Sequence, residues 1–120
     1  MPASVLVVDD HASFRRFARR LLHAAGFAVV DEAEDGASAL AAVRARRPDV
    51  VLLDVLLPDT TGFELAEQLA ADPARPVVVL TSSRGASDYR PALARSSARA
   101  FIAKRDLTAE ALAAFVDGRR

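Results

Sequence analysis

The chain has no cysteine, which excludes disulfide bridges and thiolate metal sites and suits a reducing, cytoplasmic setting. It has no excess of either charge, since 16 Lys and Arg residues balance 16 Asp and Glu. A nucleic acid or an anionic membrane therefore finds no electrostatic footprint on it. No apolar run approaches the roughly 18 residues needed to cross a bilayer. Residues 1–4 lead straight into an apolar strand, so no signal peptide is expected within them, and internal repeats, linkers and low-complexity tracts are missing. What remains is a 120-residue chain, 52% hydrophobic and 27% charged. That is ordinary for one globular domain burying about two-thirds of its unfolded surface.

Residue 54 is the pivot. Val50-Val51-Leu52-Leu53 is a run of apolar residues, two of them β-branched, and it ends in Asp54. Such a run fits a strand covered on both faces, as in the middle of a parallel sheet. An unpartnered carboxylate inside that strand would be costly, so Asp54 belongs at its exit. Pro58 and Gly62 then indicate a shaped loop rather than a hairpin.

The other runs follow the same plan. Val5 to Val8 is a strand ending in Asp9-Asp10, residues 27–30 a second, 77–81 a fourth ending in Thr81, and 100–103 a fifth leading to Lys104. Between them, Phe14, Phe17, Ala18, Leu21, Leu22 and Ala25 have the spacing of an amphipathic helix with Arg15, Arg16, Arg19 and Arg20 opposite and Gly26 as its cap. A turn over 34–36 precedes a helix over 37–46 that Pro48 stops, and Phe63, Ala66, Leu69 and Ala70 mark the next helix. Pro91 fixes the start of a fourth helix, which Ser96-Ser97 weaken; Thr108 caps the fifth, with Leu107 and Leu112 as a hydrophobic staple and Gly118 closing it. Five strands alternating with five helices imply an α/β fold, a parallel sheet between two helical layers.

Parallel strands all point one way, so Asp9-Asp10, Asp54, Thr81 and Lys104 share one edge. With strand order 2-1-3-4-5, the first and third strands are neighbours at the switch point, where ligands bind. Three carboxylates crowded there call for a cation, and an all-oxygen donor set argues for Mg²⁺. Asp54 is then placed to attack an activated phosphoryl group, with Lys104 and Thr81 holding its oxygens.

The paired acids Asp9-Asp10, the spacing from Asp54 to Pro58 and Gly62, Thr81 after an apolar strand, and Phe101-Ile102-Ala103-Lys104 resemble the CheY-like receiver domain of two-component response regulators. The resemblance covers essentially the whole chain and implies a flavodoxin-like, doubly wound fold; residues 1–120 are expected to form one receiver domain with no output domain among them, whether as a stand-alone receiver or as a fragment of a longer regulator. It implies phosphorylation of Asp54 from a histidine kinase or phosphotransfer protein, with Mg²⁺ required. Asp10 would bind the metal directly, Asp9 through water, and Asp54 and the Leu56 backbone carbonyl would complete the protein ligands. Thr81 would swing toward the phosphoryl group and Phe101 would turn inward behind it. The surface around the fourth helix, fifth strand and fifth helix would then change for a downstream protein or an output domain.

The resemblance implies a signalling switch that would catalyse its own phosphorylation and dephosphorylation rather than a turnover enzyme. Two positions depart from the family's habit. Arg105 replaces the proline that often follows the lysine, which disfavours a cis bond, and Ser97 replaces a frequent glycine, which makes a left-handed cap there costly. Leu56 and Ser83 hold the two positions that in such receivers tune loss of the phosphoryl group, and as neither is an obvious helper for water the resemblance implies a long-lived phosphorylated form. The alternatives are a degenerate receiver that only binds partners, an aspartyl-nucleophile phosphohydrolase and a flavin carrier. A phosphohydrolase usually places its nucleophile after the first strand with a second acid two residues on, and acids at the phosphate loop would repel a flavin nucleotide. Asp9-Asp10 merely capping the first helix, His11 as a helix-start residue and the arginines of that helix as a solvated face are the plainer readings of those positions.

Overall fold

The structure, a computed structural model, describes residues 3–117. Five parallel strands form one sheet in the order β2-β1-β3-β4-β5, with β1 Ser4–Val8, β2 Ala28–Ala33, β3 Val50–Asp54, β4 Val77–Ser82 and β5 Ala100–Ala103. The helices are α1 Ala12–Ala24, α2 Gly36–Arg46, α3 Gly62–Ala70, α4 Arg90–Arg95 and α5 Ala109–Asp117.

Alternation along the strands divides the core. Leu6, Val8, Val51, Leu53, Val78 and Leu80 pack with α2, α3 and α4, while Val5, Val7, Val50, Leu52, Val77 and Val79 pack with α1 and α5. Every residue of β3 and β4 is buried, the expected result for central strands covered on both faces. The layering is thus the flavodoxin-like α/β/α sandwich that the sequence led us to expect. No described helix is long and apolar enough to cross a membrane.

Two local expectations need correction, the end of the second strand and the burial of Phe17, while those at Ser97 and Thr108 hold. The second strand runs to Ala33 rather than stopping at Val30, and a register shift between Val5 and Leu6 lets it continue through Asp31 and Glu32. It is an edge strand, where polar side chains reach solvent at little cost. Phe17 is 49% exposed rather than buried; Ala18 and Leu22 form the covered stripe of α1. Ser97 adopts no left-handed cap: α4 ends at Arg95, Ser96 is extended, and the Ser97 N–H and hydroxyl donate to the Glu67 carboxylate of α3 at 2.8 and 2.7 Å. Those two bonds hold the Glu67 carboxyl below its usual range. Thr108 caps α5 through Ala111 N–H, while the proposed closure at Gly118 lies outside the described residues.

Two glycines permit close approaches beside the sheet edge. A Cβ on Gly62 would meet the Asp54 carbonyl oxygen at 2.6 Å, and one on Gly36 would meet Thr60 Cγ2 at 2.6 Å. The loop after β3 is thereby drawn tightly under Asp54, with Gly62 N–H donating to the Val55 carbonyl at 2.7 Å.

Candidate functional site

Strand register assembles the site. Val8 pairs with Leu53, Asp54 with Thr81, and Ser82 with Ala103, so Asp9, Asp54, Thr81 and Lys104 leave one sheet edge from successive strands. Strands about 4.8 Å apart bring such groups within side-chain reach. Asp9 is fully buried, Asp54 is 4% exposed and Thr81 is fully buried. The Lys104 ammonium lies 2.7 Å from Asp9 Oδ2 and 3.8 Å from Asp54 Oδ2. Its approach to Asp9 is a charge contact without hydrogen-bond alignment, so Asp9 Oδ2 and Thr81 Oγ1 are buried oxygens with no hydrogen-bond partner among the described residues.

The electrostatics match this crowding. Burial pushes the Asp54 carboxyl from 3.8 up to about 6, and the Asp9 carboxylate adds to the rise. Lys104 and the Leu56 backbone N–H pull it back, with Asp10 a smaller raising influence. Asp9, Asp10, His11 and Asp54 each offer a ligand atom within 4.8 Å of the others. The three carboxylates, one of them with a buried oxygen that no hydrogen bond satisfies, form the hard, oxygen-rich donor set that suits Mg²⁺.

The remaining sequence candidates lie close by. Leu56 follows on the loop, its side chain 55% exposed and its backbone bridged to Thr61. Phe101 is half-buried on the α3–α4 side of the sheet, its ring 6.0 Å from that of Tyr89, which in turn lies 5.7 Å from Phe63. The Tyr89 hydroxyl shares a hydrogen bond of 3.1 Å with Ser82, the neighbour of Thr81.

Some participants were missed in the sequence. His11 starts α1 and is 65% exposed, as the plainer reading held, but its Nδ1 also lies 3.0 Å from Asp9 and 3.1 Å from Asp10. Asp9 accepts the His11 backbone N–H and caps no helical turn. Arg15 is not merely solvated: it donates to the Asp9 carbonyl at 2.7 Å and, with Arg19, holds Glu32 on β2. Asp59 accepts from Gly36 and Ala37 N–H, tying the β3–α3 loop to the start of α2. One signal was available for Lys104, which is the sole lysine among 16 basic residues.

Sheet order and edge chemistry together define a flavodoxin-like α/β protein with an acidic pocket and one buried-side cation at its switch point. Residues 5–116 match the family model described as the response regulator receiver domain, and the chain belongs to that family. The DNA-binding response regulator MtrA of Mycobacterium tuberculosis is 42% identical over 90 residues, which is 73% of this chain and 38% of MtrA. Among solved structures, the receiver domain of the response regulator NarL from Mycobacterium tuberculosis superposes with a TM-score of 0.85 at 33% identity, covering 98% of each chain. A LuxR-family two-component response regulator from Aurantimonas sp. SI85-9A1 gives 0.88 at 27% identity, covering 100% of this chain and 89% of that one. The chain spans 54%, 37% and 24% of the first three curated relatives it matches. Receiver domains are phosphoryl-accepting signalling switches that bind Mg²⁺ at an acidic pocket and interact with histidine kinases.

Proposed function

We propose that this chain accepts a phosphoryl group on Asp54 from the phosphohistidine of a kinase or phosphotransfer protein. The observation that supports it is the meeting of Asp9, Asp54, Thr81 and Lys104 at one buried edge. An Asp54 carboxylate oxygen attacks phosphorus in line with the leaving imidazole nitrogen; the P–O bond forms as the P–N bond breaks, and the imidazole leaves with its electron pair. Lys104 exchanges its contact with Asp9 for a phosphoryl oxygen, and the unsatisfied Thr81 hydroxyl donates to another. Asp9, Asp10, Asp54 and the Leu56 carbonyl are the groups that would hold Mg²⁺, which when bound neutralises charge gathering on the phosphoryl oxygens.

Thr81 carries the state outward. Its turn toward the phosphoryl group opens space behind it for Phe101, and the ring contact with Tyr89 passes that change to the surface of α4, β5 and α5. A downstream protein or an attached output domain reads that surface; the likeness to MtrA supports a DNA-binding output, with the receiver itself not touching nucleic acid. Acetyl phosphate with Mg²⁺, followed by intact mass, tests the reading: one phosphoryl group is expected on the wild type and none on Asp54→Asn. An unlabelled wild type would instead favour a degenerate receiver that acts only by binding.

A further inference from the structure

The Lys104 ammonium lies 4.4 Å over the centre of the Phe14 ring. We infer that Phe14, on the first turn of α1, is a positioning residue that holds Lys104 over the phosphoacceptor, an inference that rests on the reading of Lys104 above. A lysine at a strand end has a flexible four-carbon stem and an ammonium that water solvates well. Here its side chain is only 18% exposed and reaches Asp9 at 2.7 Å and Asp54 at 3.8 Å, while the ring stands beneath it.

The ring's role differs from that of the carboxylates. An aromatic face attracts a cation through its quadrupole without accepting a conventional hydrogen bond. It therefore restrains the ammonium while leaving its charge to face Asp9 before transfer and its N–H groups free for phosphoryl oxygens after it. Phe14 is the uncharged partner that stays beneath the ammonium in both arrangements. Its own ring packs on the α1–α5 side of the core and lies 6.1 Å from that of Phe17.

The test uses Phe14→Leu, which keeps an apolar side chain but loses the aromatic face, and Phe14→Tyr, which keeps the face. Because Lys104 is the sole lysine, ¹³Cε-lysine labelling gives one methylene signal. Ring-current shielding is expected in the wild type and in Phe14→Tyr, and its loss in Phe14→Leu. The rate of labelling by acetyl phosphate with Mg²⁺ should fall about three- to tenfold in Phe14→Leu and recover in Phe14→Tyr. Phe14→Leu should lose some melting temperature through its packing on the core, so rates are compared well below both midpoints, where a merely structural role would leave rate and lysine signal unchanged. An unchanged lysine signal in Phe14→Leu overturns the inference, as does a Phe14→Leu labelling rate equal to that of a wild type that labels. A wild type that never labels overturns the proposed function instead, and the lysine signal still decides whether Phe14 holds the ammonium.

Discussion

Replacing Asp54 by Asn should make the metal-free protein more stable at neutral pH. The carboxyl's rise from 3.8 to about 6 is roughly two units, and at about 1.4 kcal/mol per unit an ionised Asp54 costs the fold about 3 kcal/mol. The sign follows from linkage: the folded state holds the proton more tightly than the unfolded chain. Asp54 therefore costs nothing below pH 3.8, the cost grows as pH rises through about 6, and it is fully present above that. Asn cannot ionise and still offers an oxygen to the Leu56 N–H. Urea unfolding in EDTA should show Asp54→Asn more stable by about 2–3 kcal/mol at pH 8, near 10 °C in Tm, with the slope unchanged and the difference closing by about pH 4. Mg²⁺ should narrow the gap by stabilising the wild type, about 2.7 kcal/mol at a hundredfold excess over Kd. A variant less stable than wild type at pH 8, or a gain independent of pH, would refute the picture of a desolvated carboxylate beside Asp9.

Lys104→Met should leave the buried Asp9 and Asp54 charges unbalanced, raising the Asp54 carboxyl further and lowering stability at pH 8 by roughly 1–3 kcal/mol; equilibrium unfolding and an NMR titration of Asp54 read both. Gly62→Ala should destabilise by about 1–3 kcal/mol through collision with the Asp54 carbonyl, seen as a lower urea midpoint. Leu56→Asn, which offers water a hydrogen-bonding partner beside Asp54, should shorten the phosphorylated form's life about tenfold, followed by mass against time after acetyl phosphate is removed. An unaltered lifetime would remove the apolar Leu56 side chain from the account of phosphoryl retention.

Local pattern carried most of the fold. The runs at 5–8, 50–53 and 77–80 are apolar without alternation because both faces of the sheet are covered, and each was readable as a central strand. The edge strand β2 was cut short because the charged pair Asp31-Glu32 ends its apolar run, and only the neighbouring strand and two arginines show that the strand continues through it. Site residues at strand ends were legible for the same reason as the strands: topology turns five distant positions into one edge. What stayed hidden depends on pairs far apart in the chain. Nothing near Asp59 announces that it caps α2, and nothing near Ser97 announces Glu67, 30 residues earlier. Phe14 read as core filler, because periodicity places a ring on a helix face without saying which charge sits above it.

The ring trio of Phe63, Tyr89 and Phe101 has a practical side. With one tyrosine and no tryptophan in the sequence, emission excited beyond the phenylalanine band arises at Tyr89, whose hydroxyl is bound to Ser82 beside Thr81. The molecule thus carries its own unlabelled optical probe where the signal is expected to pass, and stopped-flow fluorescence can time the response of the output face against the arrival of phosphate.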